Sequence, residues 1–214
     1  MTHQIGPLRQ KLSGYKRRWL QSRVIANQRR KTDFAFIHIP KCGGTSVTHA
    51  IGQKIKLHDM AYERRDKLGV ERWNQIYTFS IVRHPYERTL SFYAFTKKTM
   101  FAQKRIGDLE LNDWVRAALR DKLISSDVVA NHQLAPCCTW LMGEKGEILV
   151  NDVYKLESLS QSWPEIMRKT GAKQVPPHMN KSEGAMRRSA FDSTSLNILQ
   201  EHFCVDFEAF GYEE

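Results

Sequence analysis

Hydrophobic positions change their period as the chain proceeds. Leu8, Leu12, Tyr15, Trp19 and Leu20 fall at i, i+4, i+7, i+11 and i+12, the spacing of one helical face, with Arg and Lys set around them. From Phe34 that period gives way to a short apolar run, Phe34-Ala35-Phe36-Ile37-His38-Ile39. It is rich in aromatic and β-branched residues and is stopped by Pro40 and two glycines, which predicts a buried strand entering a loop. Residues 45–51 then predict a helix, with Thr45 or Ser46 suited to its first turn. The order repeats at Tyr77-Thr78-Phe79-Ser80-Ile81-Val82, which ends at Arg83 and precedes a predicted helix over 85–97. A third strand is predicted at 152–156, and further helices at 108–120, 160–170 and 194–203. Alternation of this kind predicts an α/β fold with ligands at the carboxyl ends of the strands. Residues 171–189, with Pro176 and Pro177, predict a long loop, the kind that often carries function.

Composition narrows the class without naming it. The 214 residues are 41% hydrophobic and 26% charged, which fits one globular domain with a short appendage and argues against disordered or collagenous chains. No run of about 18 apolar residues occurs, and the first residues lack the pattern of a secretory signal, so neither a membrane span nor Sec export is expected. The net charge of +10 divides unevenly. Residues 1–31 hold nine basic and no acidic side chains, whereas residues 32–214 hold 24 basic and 23 acidic ones. The chain is therefore read as a basic N-terminal arm, 1–31, and a nearly neutral domain, 32–214. Nucleic acid is not an expected partner of that domain. The arm's apolar stripe either packs on the domain or serves a membrane, anionic-polymer or dimer contact. Cys42, Cys137, Cys138 and Cys204 match neither a disulfide framework nor zinc spacing, so free thiols in a reducing cytoplasm are expected.

The chemistry concentrates in Pro40-Lys41-Cys42-Gly43-Gly44-Thr45-Ser46, between a strand and a helix, where backbone N–H groups and the helix dipole converge on an anion. Gly43 and Gly44 let the backbone come close to phosphate oxygens, Lys41 adds a mobile charge, and Thr45 and Ser46 add hydroxyl donors. This predicts a P-loop-type parallel sheet flanked by helices, with a basic N-terminal helical extension. The loop departs from Gly-Lys-Ser/Thr order because Lys41 precedes both glycines. The second strand departs as well: a magnesium nucleotide enzyme needs a carboxylate near its end, and here Arg83 stands there. A cation at that place favours a second phosphate over a metal ion. Ser91, just over two helical turns beyond Arg83, can reach the same ligand.

Ile37-His38-Ile39-Pro40-Lys41-Cys42-Gly43-Gly44-Thr45-Ser46-Val47 and Ile81-Val82-Arg83-His84-Pro85-Tyr86-Glu87-Arg88-Thr89-Leu90-Ser91-Phe92-Tyr93 resemble the two nucleotide motifs of sulfotransferases that use 3'-phosphoadenosine 5'-phosphosulfate (PAPS). The closest branch is the carbohydrate type, similar to heparan sulfate 2-O-sulfotransferase and its bacterial relatives, and the likeness spans about residues 33–214. It implies that Lys41 to Ser46 hold the 5'-phosphosulfate and that Arg83 and Ser91 hold the 3'-phosphate. It further implies a closing loop at Asn180-Lys181-Ser182, with Lys181 and Ser182 against the nucleotide. The donor would be PAPS, the product adenosine 3',5'-bisphosphate (PAP), no metal would be needed, and the acceptor would be a hydroxyl, most readily a carbohydrate.

Sulfuryl transfer needs positioning, charge on the leaving group and a base, and histidine serves best as a base near neutral pH. His58, between the two motifs, lies where the related carbohydrate enzymes place theirs. His132 is the alternative, or with Gln133 a lining of the acceptor site, and Asp59 and Glu63 are carboxylate candidates. His38, within a strand, reads as a hydrogen-bonded core histidine, and Arg88 as the partner of an acid in the domain. Two rival functions stay open on residues alone: a magnesium-dependent kinase with an altered loop, and a non-catalytic nucleotide or polyanion-binding module.

Overall fold

The apolar runs pair side by side, as strands with no polar face must. In the computed structural model, which describes residues 5–53, 55–98, 109–120, 133–177 and 188–213, with side chains from residue 18 onward, β1 (Phe34–Ile37), β2 (Tyr77–Val82) and β3 (Asp152–Lys155) form one parallel sheet in the order β1-β2-β3. Phe36 sits beside Phe79 and Val82 beside Lys155. Side chains alternate between the two faces. Phe36, Phe79 and Ile81 meet α2 (Gly44–Ala50) and α8 (Leu159–Thr170) through Val47, Trp163 and Ile166. Ala35, Ile37 and Val82 face the other way, towards Ala61, Trp73 and Trp140 of α3 (Ala61–Leu68), α4 (Val70–Gln75) and α7 (Cys137–Leu141). The two buried small hydroxyls of β2 are satisfied, since Ser80 Oγ donates to the Ile37 carbonyl at 2.8 Å and Thr78 Oγ1 to Asn151 Oδ1 at 2.8 Å.

A third cluster binds α5 (Pro85–Lys98), α6 (Leu111–Val115) and α9 (Ser193–Phe210) through Tyr86, Leu90, Trp114, Phe203 and Phe207. The first helix, α1 (Ile5–Arg30), is joined to the domain near its C-terminal end. Ile25 packs on the core, and Gln28 accepts a bond from Arg64 Nη1 at 3.0 Å and, through its carbonyl, one from Arg72 Nε at 3.0 Å. Trp19, in the arm's apolar stripe, is 55% exposed and does not pack on the domain.

The strands and the helices after β1 and β2 lie where the periodicity predicts. Three short helices, α3, α4 and α7, were not predicted. Their sequences are highly charged or only five residues long, so neither shows a helical stripe. α6 starts at Leu111, inside the predicted 108–120, and continues as a π-helical turn, Arg116–Arg120. α9 continues past the predicted 203 because a kink at Phe203 (φ −108°, ψ 16°) shifts the apolar phase. The predicted loop 171–189 is irregular over 171–177 and closes with a 3-10 turn, Arg188–Ala190.

Candidate active site

The carboxyl ends of all three strands open into one cleft of about 1250 Å³. The loop after β1 forms its floor. Lys41 and Gly43 both take left-handed backbone conformations (φ 68° and 71°), and this double reversal turns the chain from the strand into α2. The glycines are required by the protein's own packing as much as by any ligand. A Cβ on Gly44 would fall 1.9 Å from the His38 ring, and one on Gly43 would fall 2.5 Å from Leu156. Lys41, Gly43, Gly44, Thr45 and Ser46 all line the cleft. Cys42 does not: its side chain is fully buried beneath the loop, with Sγ 3.9 Å from Cys137 Sγ, and its amide bonds to the Ile39 carbonyl. Cys42 thus shapes the loop from below.

Arg83 reaches the cleft from the end of β2 and pairs with Glu87 at 3.3 Å across one turn of α5. Ser91 lines the same wall, followed by Ala94, Phe95 and Lys98. These four stand at i, i+3, i+4 and i+7, so one face of α5 looks into the cleft, a spacing from which Phe95 and Lys98 could have been read. Arg88 faces away from the cleft. It is buried under the loop and donates to the carbonyls of Pro40 (3.2 Å), Ala135 (2.7 Å) and Gln133 (2.9 Å). The expected acidic partner is replaced by carbonyls because Asp206, the nearby acid, is spent on the N-terminus of α7, where it accepts from Cys137 N at 2.7 Å and Cys138 N at 2.8 Å.

Positive charge dominates the cleft. Burial, followed by the neighbouring charges of Arg83, Lys56 and Lys98, pushes the Lys41 ammonium down to about 8, and its Nζ rests 4.3 Å from the centre of the Phe95 ring. The two carboxylates in the cleft are already engaged. Glu63 accepts from Met60 N at 2.8 Å, while Glu157 accepts from His84 N at 2.8 Å and from the Tyr212 hydroxyl at 3.1 Å. Such a site draws anions and fits phosphate and sulfate groups.

His58 and Gln133 line the cleft, whereas His132, Asn180, Lys181 and Ser182 lie outside the described residues. The His58 ring lies 4.5 Å from that of His38, tilted by 39°, and places Nδ1 3.3 Å from the His38 carbonyl. His38 is buried as predicted but is not hydrogen-bonded through Nδ1, which has no partner among the described residues. Burial, then the charges of His58 and Lys56, hold it well below the usual histidine range, so it is neutral. His84 and His202 serve the scaffold: His84 Nε2 lies 3.0 Å from the Glu213 carbonyl and His202 Nε2 lies 2.9 Å from that of Leu134.

The family model described as "Sulfotransferase family" matches residues 26–213. The chain belongs to the sulfotransferase family. Neither a curated protein nor a solved structure matches it. Family membership makes this a sulfuryl-transferring enzyme and sets aside both the kinase and the non-catalytic module. The parallel sheet with flanking helices suits that family, whose donor is PAPS and whose product is PAP. The match begins within α1, and Gln28, the residue that ties this sulfotransferase's first helix to α3, falls inside it. Sequence reasoning missed Lys56, Lys98, Phe95 and Glu157 in the cleft. Only the α5 pair carried a readable signal; Lys56 and Glu157 arrive from separate loops.

Proposed function

We propose that this enzyme moves a sulfuryl group from PAPS to a carbohydrate hydroxyl by in-line displacement without a metal ion. The observation that carries the reading is the meeting, in one cleft, of the Lys41–Ser46 loop with Arg83, Ser91 and His58, although 17 residues separate Lys41 from His58 and 50 separate it from Ser91. In this reading the loop amides, Lys41, Thr45 and Ser46 hold the 5'-phosphosulfate, Arg83 and Ser91 hold the 3'-phosphate, and Lys181 and Ser182 close over the nucleotide. Gln133, with His132, lies on the acceptor side. The S–O bond to the phosphate breaks as that to the acceptor oxygen forms, and the acceptor proton passes to His58. A carbonyl only accepts, so a bond to His38 O puts the proton on His58 Nδ1 and makes Nε2 the ring nitrogen that accepts. Arg83 at the end of β2, in place of a carboxylate, favours a metal-free mechanism. The four free cysteines favour a reducing cytoplasm. Calorimetric titration with PAP in EDTA, set against ATP with magnesium, tests the reading. Tight PAP binding without metal is expected, and uptake of ATP only with magnesium would overturn it.

Two further outcomes are expected. Arg83→Ala removes one charged hydrogen-bonding partner and should weaken PAP by about 10- to 100-fold while leaving adenosine 5'-phosphosulfate nearly unaffected. Equal losses for both nucleotides would assign Arg83 to the fold. The second outcome concerns protons. With Lys41 at about 8 in the free enzyme, a bound phosphate favours its charged form, so binding above pH 8 should take up a proton and PAP affinity should fall as pH rises. Titrations at pH 8.5 in buffers of different ionisation enthalpy should read this uptake, which should be absent at pH 6.5, where Lys41 is already charged.

A further inference from the structure

We infer that α1 is an interfacial helix that lays its N-terminal two-thirds on an anionic phospholipid surface. The helix runs unbroken from Ile5 to Arg30, and among its described side chains those that meet the domain include Ile25 and Gln28, near its C-terminal end. Upstream, Trp19 is 55% exposed, with the Arg23 guanidinium 4.8 Å above its ring. At 100° per residue, Leu8, Leu12, Tyr15 and Trp19 fall on one narrow face. Arg9 and Lys16 flank that face on one side and Lys11 and Arg18 on the other, while the opposite side carries Gln10, Ser13, Gly14 and the single charge of Arg17, followed nearer the domain by Leu20, Gln21 and Val24. Apolar positions bordered by basic ones on both sides suit a helix lying at the boundary of headgroups and acyl chains, with aromatic residues at the interface and Lys and Arg reaching for lipid phosphates. No described helix is long and apolar enough to cross a membrane.

Two other occupants fit less well. The same stripe has the 4-3-4 spacing of a coiled-coil seam, but it spans only two heptads. Pairing with a second copy would bring Arg9, Lys16 and Arg23 against the Lys11 and Arg18 of that copy, and residues 1–31 hold no acid to balance them. A soluble acidic polymer would match the charge and leave the apolar stripe in water. Only a surface that is both anionic and apolar beneath satisfies both halves of the pattern.

The test is co-sedimentation of the full chain with vesicles of phosphatidylcholine alone or with about 30 mol% phosphatidylglycerol, read together with tryptophan emission. Trp73, Trp114, Trp140 and Trp163 are buried, so a blue shift on binding reports Trp19. At least tenfold more binding to the anionic vesicles is expected, reduced by high salt and accompanied by the shift. Trp19→Phe should remove the shift and keep most binding; Leu12→Gln with Trp19→Gln should abolish binding with every basic residue in place. Equal binding to both vesicles, binding without the shift, or the same shift with dextran sulfate would overturn the assignment. So would a dimer in sedimentation that dissociates in the double variant.

Discussion

Lys41→Ala should lower turnover by about two to three orders of magnitude, the usual cost of removing one donor aimed at developing charge, while the folded enzyme stays at least as stable as before. The two halves of this outcome have one cause. Lys41 is held in a left-handed turn at the mouth of the loop, where burial and the charges of Arg83, Lys56 and Lys98 disfavour its ammonium. In the free enzyme it parks on the face of Phe95. Losing a desolvated cation from a cluster of cations removes repulsion, so melting temperature should hold. In the reaction the leaving phosphate gains negative charge, and the same cation becomes most valuable there. Single-turnover rates with saturating donor separate the two stages. A large fall in rate with at most a modest rise in donor Kd supports the role, and near-normal turnover rejects it. The proton uptake expected above pH 8 should vanish in the same variant, which ties the titration to this residue.

The two strand-loop-helix units that carry Lys41–Ser46, Arg83 and Ser91 to the cleft were legible in the sequence because their parts are local. Strand, loop and helix follow one another within Phe34 to Ala50 and again within Tyr77 to Lys98, and Gly, Pro and β-branched residues punctuate both. What stayed hidden is long-range. Arg88 shows the difference: residue type suggests a salt bridge, whereas the fold sets its guanidinium among three carbonyls from two segments, because Asp206 is committed to capping α7. The glycines were legible as a close approach, but the approaching groups include His38 and Leu156, from β1's own end and from the turn after β3. The rest of the cleft draws on Lys56, Phe95, Lys98 and Trp140, residues that share no motif and meet only once α3, α5 and α7 are packed.

His58→Ala should cost about 10²- to 10⁴-fold in turnover, the range for loss of a positioned general base, with donor affinity unchanged within about twofold. Its neighbours narrow the choice of base. Against the burial that would raise it, Arg64 at 2.9 Å and Lys67 at 2.8 Å hold the Asp59 carboxyl below the usual carboxylate range, which leaves it a weak proton acceptor. Glu63 is occupied in capping α3. His38 is neutral, but it is 4% exposed and meets the cleft only at the edge of its ring, with Gly44 packed against it. His58 is the exposed imidazole at the rim, oriented from behind by the His38 ring and carbonyl. A merely structural histidine would lower stability and donor binding together; a base would leave both intact and remove the acid limb of the pH–rate profile. Added imidazole offers the sharpest reading, since it can occupy the vacated rim and accept the proton. Restoration of part of the rate in His58→Ala, and none in Lys41→Ala, is the expected result. Full activity of the His58 variant without imidazole would pass the role to His132.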